Sequence, residues 1–157
     1  MSYYATEKGI RNLSEEIARL TKKSRELESK TTETAQNCGD NWHDNPGLYA
    51  LNDEADMQAK HINELSDILS NCQRITYPEK VTQVCVGSRV TVNINGCTEC
   101  YDIVGYGESD PERNKILYGA PLARELITKK ENESFTFKIA GEKREAKILK
   151  VEPIQDL

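Results

Sequence analysis

No run of apolar residues in this sequence approaches the roughly 18 to 20 that a helix needs to cross a bilayer. A helical membrane span is thereby excluded. The opening MSYYATEKGI also lacks the apolar stretch of a secretory leader, so the cytoplasm is the expected compartment and no membrane partner is expected. Lys and Arg number 21 against 26 Asp and Glu, a net charge of -5. Without a basic field to attract phosphates, an autonomous nucleic-acid binder is disfavoured and a protein partner fits better. Cysteines are five, an odd number, in 157 residues. A chain this long folds without staples, so reduced thiols are expected rather than a disulfide framework. With 37% hydrophobic and 30% charged residues, the chain can build one small domain or two modules, not a large multi-domain enzyme.

What is present is two kinds of periodicity. From Ile10 the seam residues are spaced alternately by three and four: Ile10, Leu13, Ile17, Leu20, Ser24, Leu27, Thr31, Thr34 and Cys38. A second seam holds Leu48, Leu51, Ala55, Gln58, Ile62, Leu65, Leu69 and Cys72, and the intervening GDNWHDNPG contains helix-breaking Gly and Pro. An antiparallel coiled-coil hairpin follows, with arms on the order of 40 Å. Its distal half is Ser, Thr and Cys on the first arm, so the seam loosens toward residue 38. Ile75-Thr76-Tyr77-Pro78 then reads as a linker, and beyond it the period becomes two. Val90, Val92 and Ile94 lead into an Asn95-Gly96 hairpin turn and a strand with Tyr101, Ile103 and Val104. Phe135, Phe137 and Ile139 precede Gly141 and a last strand with Ala146, Ile148 and Val151, while Pro121 opens a short helix to Lys129. The fold class expected is α+β, with residues 1–76 the coiled-coil finger and 77–157 a small β-rich module with one helix.

This order of elements resembles the bacterial Gre transcription elongation factors over essentially the whole chain. The residues that carry it are Gly39-Asp40 and Asp44-Asn45 at the hairpin tip, Tyr49, Leu69-Ser70-Asn71, Tyr101-Asp102-Ile103-Val104-Gly105, Ala120-Pro121-Leu122-Ala123-Arg124 with Leu126-Ile127, and Lys147 to Glu152. The resemblance implies an FKBP-like second module that docks on RNA polymerase at its secondary channel, through Pro121, Leu122 and Arg124. It implies a monomeric factor that is not itself an enzyme and meets nascent RNA only indirectly. It also implies that tip carboxylates, here Asp40 and Asp44, help polymerase hold a catalytic magnesium ion and its water to cleave backtracked transcripts. Magnesium prefers hard oxygen ligands and keeps waters, one of which can attack the phosphodiester. No cofactor of the chain's own is expected; the magnesium belongs to the polymerase complex.

The tip departs from the family pattern. Asp40 is followed by Asn41-Trp42-His43 before Asp44-Asn45, one residue more than the usual spacing, and the second acid is the shorter Asp. Since misplacement by about 1 Å can cost roughly 100-fold in rate, the alternative is a secondary-channel regulator that inhibits or modulates polymerase without stimulating cleavage. Trp42, His43 and Asn45 join the tip acids as candidate binding residues. Trp42 is the only Trp and lies in a polar loop, where a partner is the favoured use of its area.

Each of these residues has an uneventful counterpart. Asp40 and Asp44 can be a solvated turn, with Asp44 or Asn45 capping the second helix. His43 has no Cys or His at ligand spacing, which favours an exposed polar side chain. Cys97-Thr98-Glu99-Cys100 has knuckle spacing, yet no second CxxC accompanies it. The basic residues of the first arm alternate with Glu7, Glu15, Glu16, Glu26, Glu28 and Glu33, as a solvated coiled-coil exterior does. Two other classes of function stay open: a prolyl isomerase, for which two Phe at strand positions are poor pocket material, and a bare adaptor hairpin.

Overall fold

The computed structural model describes residues 2–37 and 46–155, and these form two compact units. Arg11–Cys72 is one; Ser2–Ile10 with Gln73–Leu157 is the other. The tip residues Asp40, Trp42, His43, Asp44 and Asn45 lie outside the described residues.

The first unit is the helical hairpin, built from α1 (Glu7–Asn37) and α2 (Pro46–Ser70). Leu13, Leu20 and Leu27 recur every seven residues and are buried, as is Leu48 from the second helix, which is the heptad seam expected of these spacings. Ile17, Ser24, Thr31 and Thr34 are only half-buried between them. At 31 residues α1 is about 46 Å long. The Pro46-Gly47 pair, read from the sequence as part of the helix break, is instead the first turn of α2. Proline fits there because its missing N–H would have had no partner in the first turn. Asn71 closes α2 by turning its side-chain amide and its backbone N–H onto the carbonyl of Asp67.

The second unit is a five-stranded sheet in the order β5-β4-β3-β7-β6. It comprises β3 (Ser88–Ile94), β4 (Cys97–Val104), β5 (Lys115–Leu117), β6 (Ser134–Ile139) and β7 (Glu142–Pro153), with α3 (Pro121–Leu126). A separate two-stranded ribbon pairs β1 (Tyr3–Ala5) with β2 (Cys72–Arg74). Asn95 and Gly96 both take positive φ, 51° and 88°, the backbone of a two-residue turn whose twist matches antiparallel strands. Neighbouring strands are antiparallel except β4 and β5, and β3 slips register against β7 between Thr91 and Val92. Val90, Val92, Ile103 and Ile148 are fully buried on one face, with Ala123 and Leu126 of α3 packed over them.

One expectation needs correction. The helix from Pro121 stops at Leu126 rather than Lys129, because Thr128 adopts φ 76° and gives its N–H to Val84 while Lys129 accepts from Val84. These residues spend their backbone groups on holding Val84 instead of on a further helical turn. The segment read as a linker, Ile75 to Pro78, lies in no helix or strand, but Cys72–Arg74 just before it form β2, a strand with no signal in the sequence, and the Ile75 N–H extends its ribbon to the Ala5 carbonyl. Gly9 and Gly107 explain how the start of α1 sits within the sheet-bearing unit. A side chain on Gly107 would fall 2.2 Å from the Gly9 carbonyl oxygen, and one on Gly9 2.3 Å from that of Tyr106.

Candidate functional site

The sheet-bearing unit presents α3 as its exposed helical feature. Ala120 precedes it in extended conformation, Pro121 supplies the preset first turn, and Arg124 closes that turn with its N–H on the Ala120 carbonyl at 2.9 Å. Six residues leave little choice of facing. Ala123 and Leu126 are wholly buried, Leu122 is half-buried, and Pro121, Arg124 and Glu125 face solvent. The sequence therefore names three site residues that the structure brings together, and Leu126 belongs to the core.

Two shallow clefts flank this helix. One, of about 200 Å³, lies between Pro121, Arg124 and Glu125 and the end of β6 at Phe137, Lys138 and Ile139. The other, of about 230 Å³, is floored by Ile94, Tyr101, Leu122, Phe137 and Ile139 and rimmed by Cys97, Glu99 and Arg144. Phe137 and Ile139 belong to both. Tyr101 donates its hydroxyl to Glu99, and burial first, then that carboxylate, pushes the phenol up to about 12, while the Arg144 charge pulls the other way. Sequence reasoning missed this second cleft. Its signal is Arg144, which stands in phase with Ala146 and Ile148 where alternation calls for an apolar residue.

The face of the β3–β4 pair turned away from α3 carries a charge pair. Arg89 reaches across the β3–β4 pair to Asp102 with two hydrogen bonds, 2.7 and 3.1 Å, and Asp102 is 5% exposed. A buried carboxylate needs such a bidentate partner. Just past the same end of β4, Glu108 accepts from the Thr6 hydroxyl at 2.8 Å and from the Tyr77 hydroxyl, which itself accepts the Gly105 N–H at 3.0 Å. Burial and the adjoining Glu108 hold the Tyr77 phenol well above its ordinary range.

Cys97 and Cys100 do not form a paired site. They lie on β4 opposite Ile94 and Thr91, three residues apart on an extended strand, so their side chains leave opposite faces. A separation of about 10 Å between their Cα atoms exceeds a disulfide's reach. Among the described residues no group of three or more His, Cys, Asp or Glu could hold a metal ion, and no helix is long and apolar enough to cross a membrane. In the helical unit, Arg19 holds the Glu16 carboxyl below its usual range through a hydrogen bond, helped by the charge of His61 on the facing helix.

Residues 79–153 match the family model described as transcription elongation factor, GreA/GreB, C-term. Over 132 residues the chain is 32% identical to the transcription elongation factor GreA of Mycoplasmoides gallisepticum, covering 82% of each chain. It is also 32% identical over 150 residues to that of Nitratiruptor sp., covering 93% of this chain and 90% of the relative. Among solved structures it is similar to GreA factor homolog 1 of Thermus thermophilus, at 20% identity and a TM-score of 0.47, over 97% of this chain and 99% of that one.

Proposed function

Because the chain belongs to the GreA/GreB family of transcription elongation factors, we propose that it binds RNA polymerase at the secondary channel and stimulates cleavage of backtracked transcripts. The observation that carries the docking half is the exposed face of α3, where Pro121 and Arg124 stand beside a cleft. An exposed cation beside a cleft lined by both charged and apolar residues is suited to a protein surface. The long hairpin supplies reach, and the tip residues between α1 and α2 supply chemistry. Asp40 and Asp44 offer the anionic oxygens that magnesium favours, and a magnesium ion shared with polymerase would provide the activated water for phosphodiester cleavage. This chain's part is to supply carboxylates from the segment between its two long helices; the nucleolytic centre is the polymerase's.

A second reading is favoured by one observation, the extra residue between Asp40 and the second tip acid. If that insertion misplaces Asp44, the protein occupies the channel and slows transcription without stimulating cleavage. Halted, backtracked polymerase complexes incubated with the protein and magnesium separate the two. Shortened transcripts support the first reading, and slower elongation without shortening supports the second. Binding to polymerase with neither effect overturns both.

A further inference from the structure

The face of the sheet turned away from α3 carries a polar bowl. Alternation along β7 sends Ala146 and Ile148 into the core and Glu145 and Lys147 to the opposite face. Register sets Lys147 between Asn93 of β3 and Ser134 of β6, and Glu145 opposite Thr136. These five side chains and Asn95 of the β3–β4 turn surround a hollow of about 560 Å³, a size that small-ligand sites share. The backbone orients the two amides. Asn93 Oδ1 accepts the Gly96 N–H at 2.9 Å and Asn95 Oδ1 the Glu145 N–H at 3.2 Å, and since only the oxygen of an amide accepts, each NH2 remains available to donate. With the Lys147 ammonium and the Ser134 and Thr136 hydroxyls, five of the six side chains offer donors. Glu145 is the sixth, and as a carboxylate it only accepts.

Charge extends the same pattern. Lys138 and Lys143 stand directly opposite each other on this face, an arrangement that disfavours the free sheet because like charges repel. Among the described residues neither they nor Lys147 has an ion-pair partner. Three cations against one carboxylate suit an anion better than a zwitterion, and a carboxylate set among donors calls for a ligand that also brings hydroxyls. A phosphorylated ribose brings both. Its phosphate oxygens accept from Lys147, the two amides and the hydroxyls, while its sugar hydroxyls donate to Glu145. We propose that this bowl binds the ribose phosphate of a ribonucleotide, free or within an RNA strand, with Lys138 and Lys143 meeting a further phosphate. The net charge of -5 bears on long-range attraction, whereas these contacts are short-range. The site faces away from α3, and the proposal does not depend on polymerase binding.

Backbone amide shifts of the full-length protein, followed by NMR at about 50 mM salt so that phosphate contacts are not screened, locate the site. The probes are AMP, deoxy-AMP, inorganic phosphate, and single-stranded RNA and DNA octamers of one sequence. Shifts are expected at Asn93 to Gly96, Ser134 to Lys138 and Lys143 to Lys147. The ribose form should bind about fivefold or more tightly than its deoxy counterpart, since a hydrogen bond to a charged acceptor is lost. Glu145→Ala should bring that ratio to within about twofold. Lys143→Gln with Lys147→Gln should weaken ribose and deoxy forms alike by about fivefold and make the salt dependence shallower. An RNA octamer that binds more than about tenfold tighter than AMP identifies a strand as the source, through its added phosphates; comparable affinities identify the free nucleotide. Shifts centred on another surface, or absent at millimolar AMP and RNA alike, overturn the proposal. So does inorganic phosphate that binds as tightly as AMP, equal affinity for ribose and deoxy forms, or a ratio unchanged in Glu145→Ala.

Discussion

The hydroxyl of Thr6 donates to the Glu108 carboxylate at 2.8 Å across 102 residues of sequence. The same hydroxyl oxygen accepts the Gly9 N–H at 3.1 Å, so Thr6 caps α1 and ties its first turn to the loop after β4. Glu108 also takes the Tyr77 hydroxyl. One carboxylate therefore fixes the helix start and the chain leaving β2 within a single unit.

Tyr77→Phe removes a donor from Glu108 and the acceptor of a buried Gly105 N–H. It is expected to cost about 2 kcal/mol, read from the midpoint of chemical denaturation. The pH dependence has a definite sign. The folded phenol is raised above its unfolded value of about 10. Its contribution is therefore full below that pH and is lost as pH rises toward the higher folded value. Alkaline unfolding monitored by phenolate absorbance should show Tyr77 among the last of the seven tyrosines to ionise. The loss of stability should begin above pH about 10, and Tyr77→Phe should flatten it. A tyrosine titration complete before unfolding begins would contradict this network.

Positive φ marks a second set of expected outcomes. Asn95, Asn114 and Asn132 occupy that region, as Asn tolerates it, but so do Thr128 at 76° and Ala140 at 52°. A β-branched residue there is strained. Thr128→Gly should stabilise the protein by about 1 kcal/mol, the left-handed penalty less glycine's extra entropy. Ala140→Asn should give a smaller gain of about 0.5 kcal/mol in the same thermal assay, since Asn merely tolerates the region better. A destabilised Thr128→Gly would show that the side chain contributes more than its backbone costs.

What the sequence made legible was whatever repeats. Leu13, Leu20 and Leu27 announce the seam, and Val90, Val92 and Ile94 announce the strand, because each period is a direct image of one buried face. Pro121 marked the start of α3 but nothing local marked its end, which depends on Val84 some forty positions earlier claiming the backbone of Thr128 and Lys129. Strands β1, β2 and β5 have three residues each, too few to show a period. The Thr6–Glu108–Tyr77 cluster joins residues whose nearness only the folded chain creates. Of the candidate residues, Pro121, Leu122 and Arg124 could be placed on one short helix because Pro121 announces its start, whereas Arg144 beside the second cleft was overlooked because a charged residue near a turn invites a solvent reading.

Gln58 occupies the α2 seam with its side-chain carbonyl buried and without a hydrogen-bond partner. Gln58→Leu continues the leucine seam and removes an unsatisfied acceptor. It is expected to stabilise the helical unit by about 1 kcal/mol, seen as slower amide exchange in α1 and α2. Faster exchange there would mean that the amide contributes to the pairing of the two helices.

Arg124 is the exposed cation of the α3 surface, beside the exposed Glu125, and its charge can be reversed without touching Ala123 or Leu126 in the core. Arg124→Glu should leave the melting temperature within about 2 °C of wild type, as a surface change does. It should weaken polymerase binding by about tenfold, more strongly at low salt because opposite charges are exchanged for like ones. Unchanged affinity of the folded variant removes Arg124 from the interface.

The tip acids decide between the two functional readings. Replacing Asp40 and Asp44 together by Asn preserves shape but withdraws the anionic oxygens that magnesium requires. In a cleavage-competent factor this double change should abolish transcript shortening, with affinity for polymerase altered less than about twofold because the docking surface is elsewhere. In a channel-occupying regulator the wild type already fails to shorten transcripts, and the same change should leave its slowing of elongation in place. Trp42→Ala should then relieve the slowing more than the Asp changes do, since an aromatic lodged against a channel wall works through area rather than charge. Transcript cleavage that persists undiminished in the double Asn protein would place the assisting carboxylate somewhere other than these two residues.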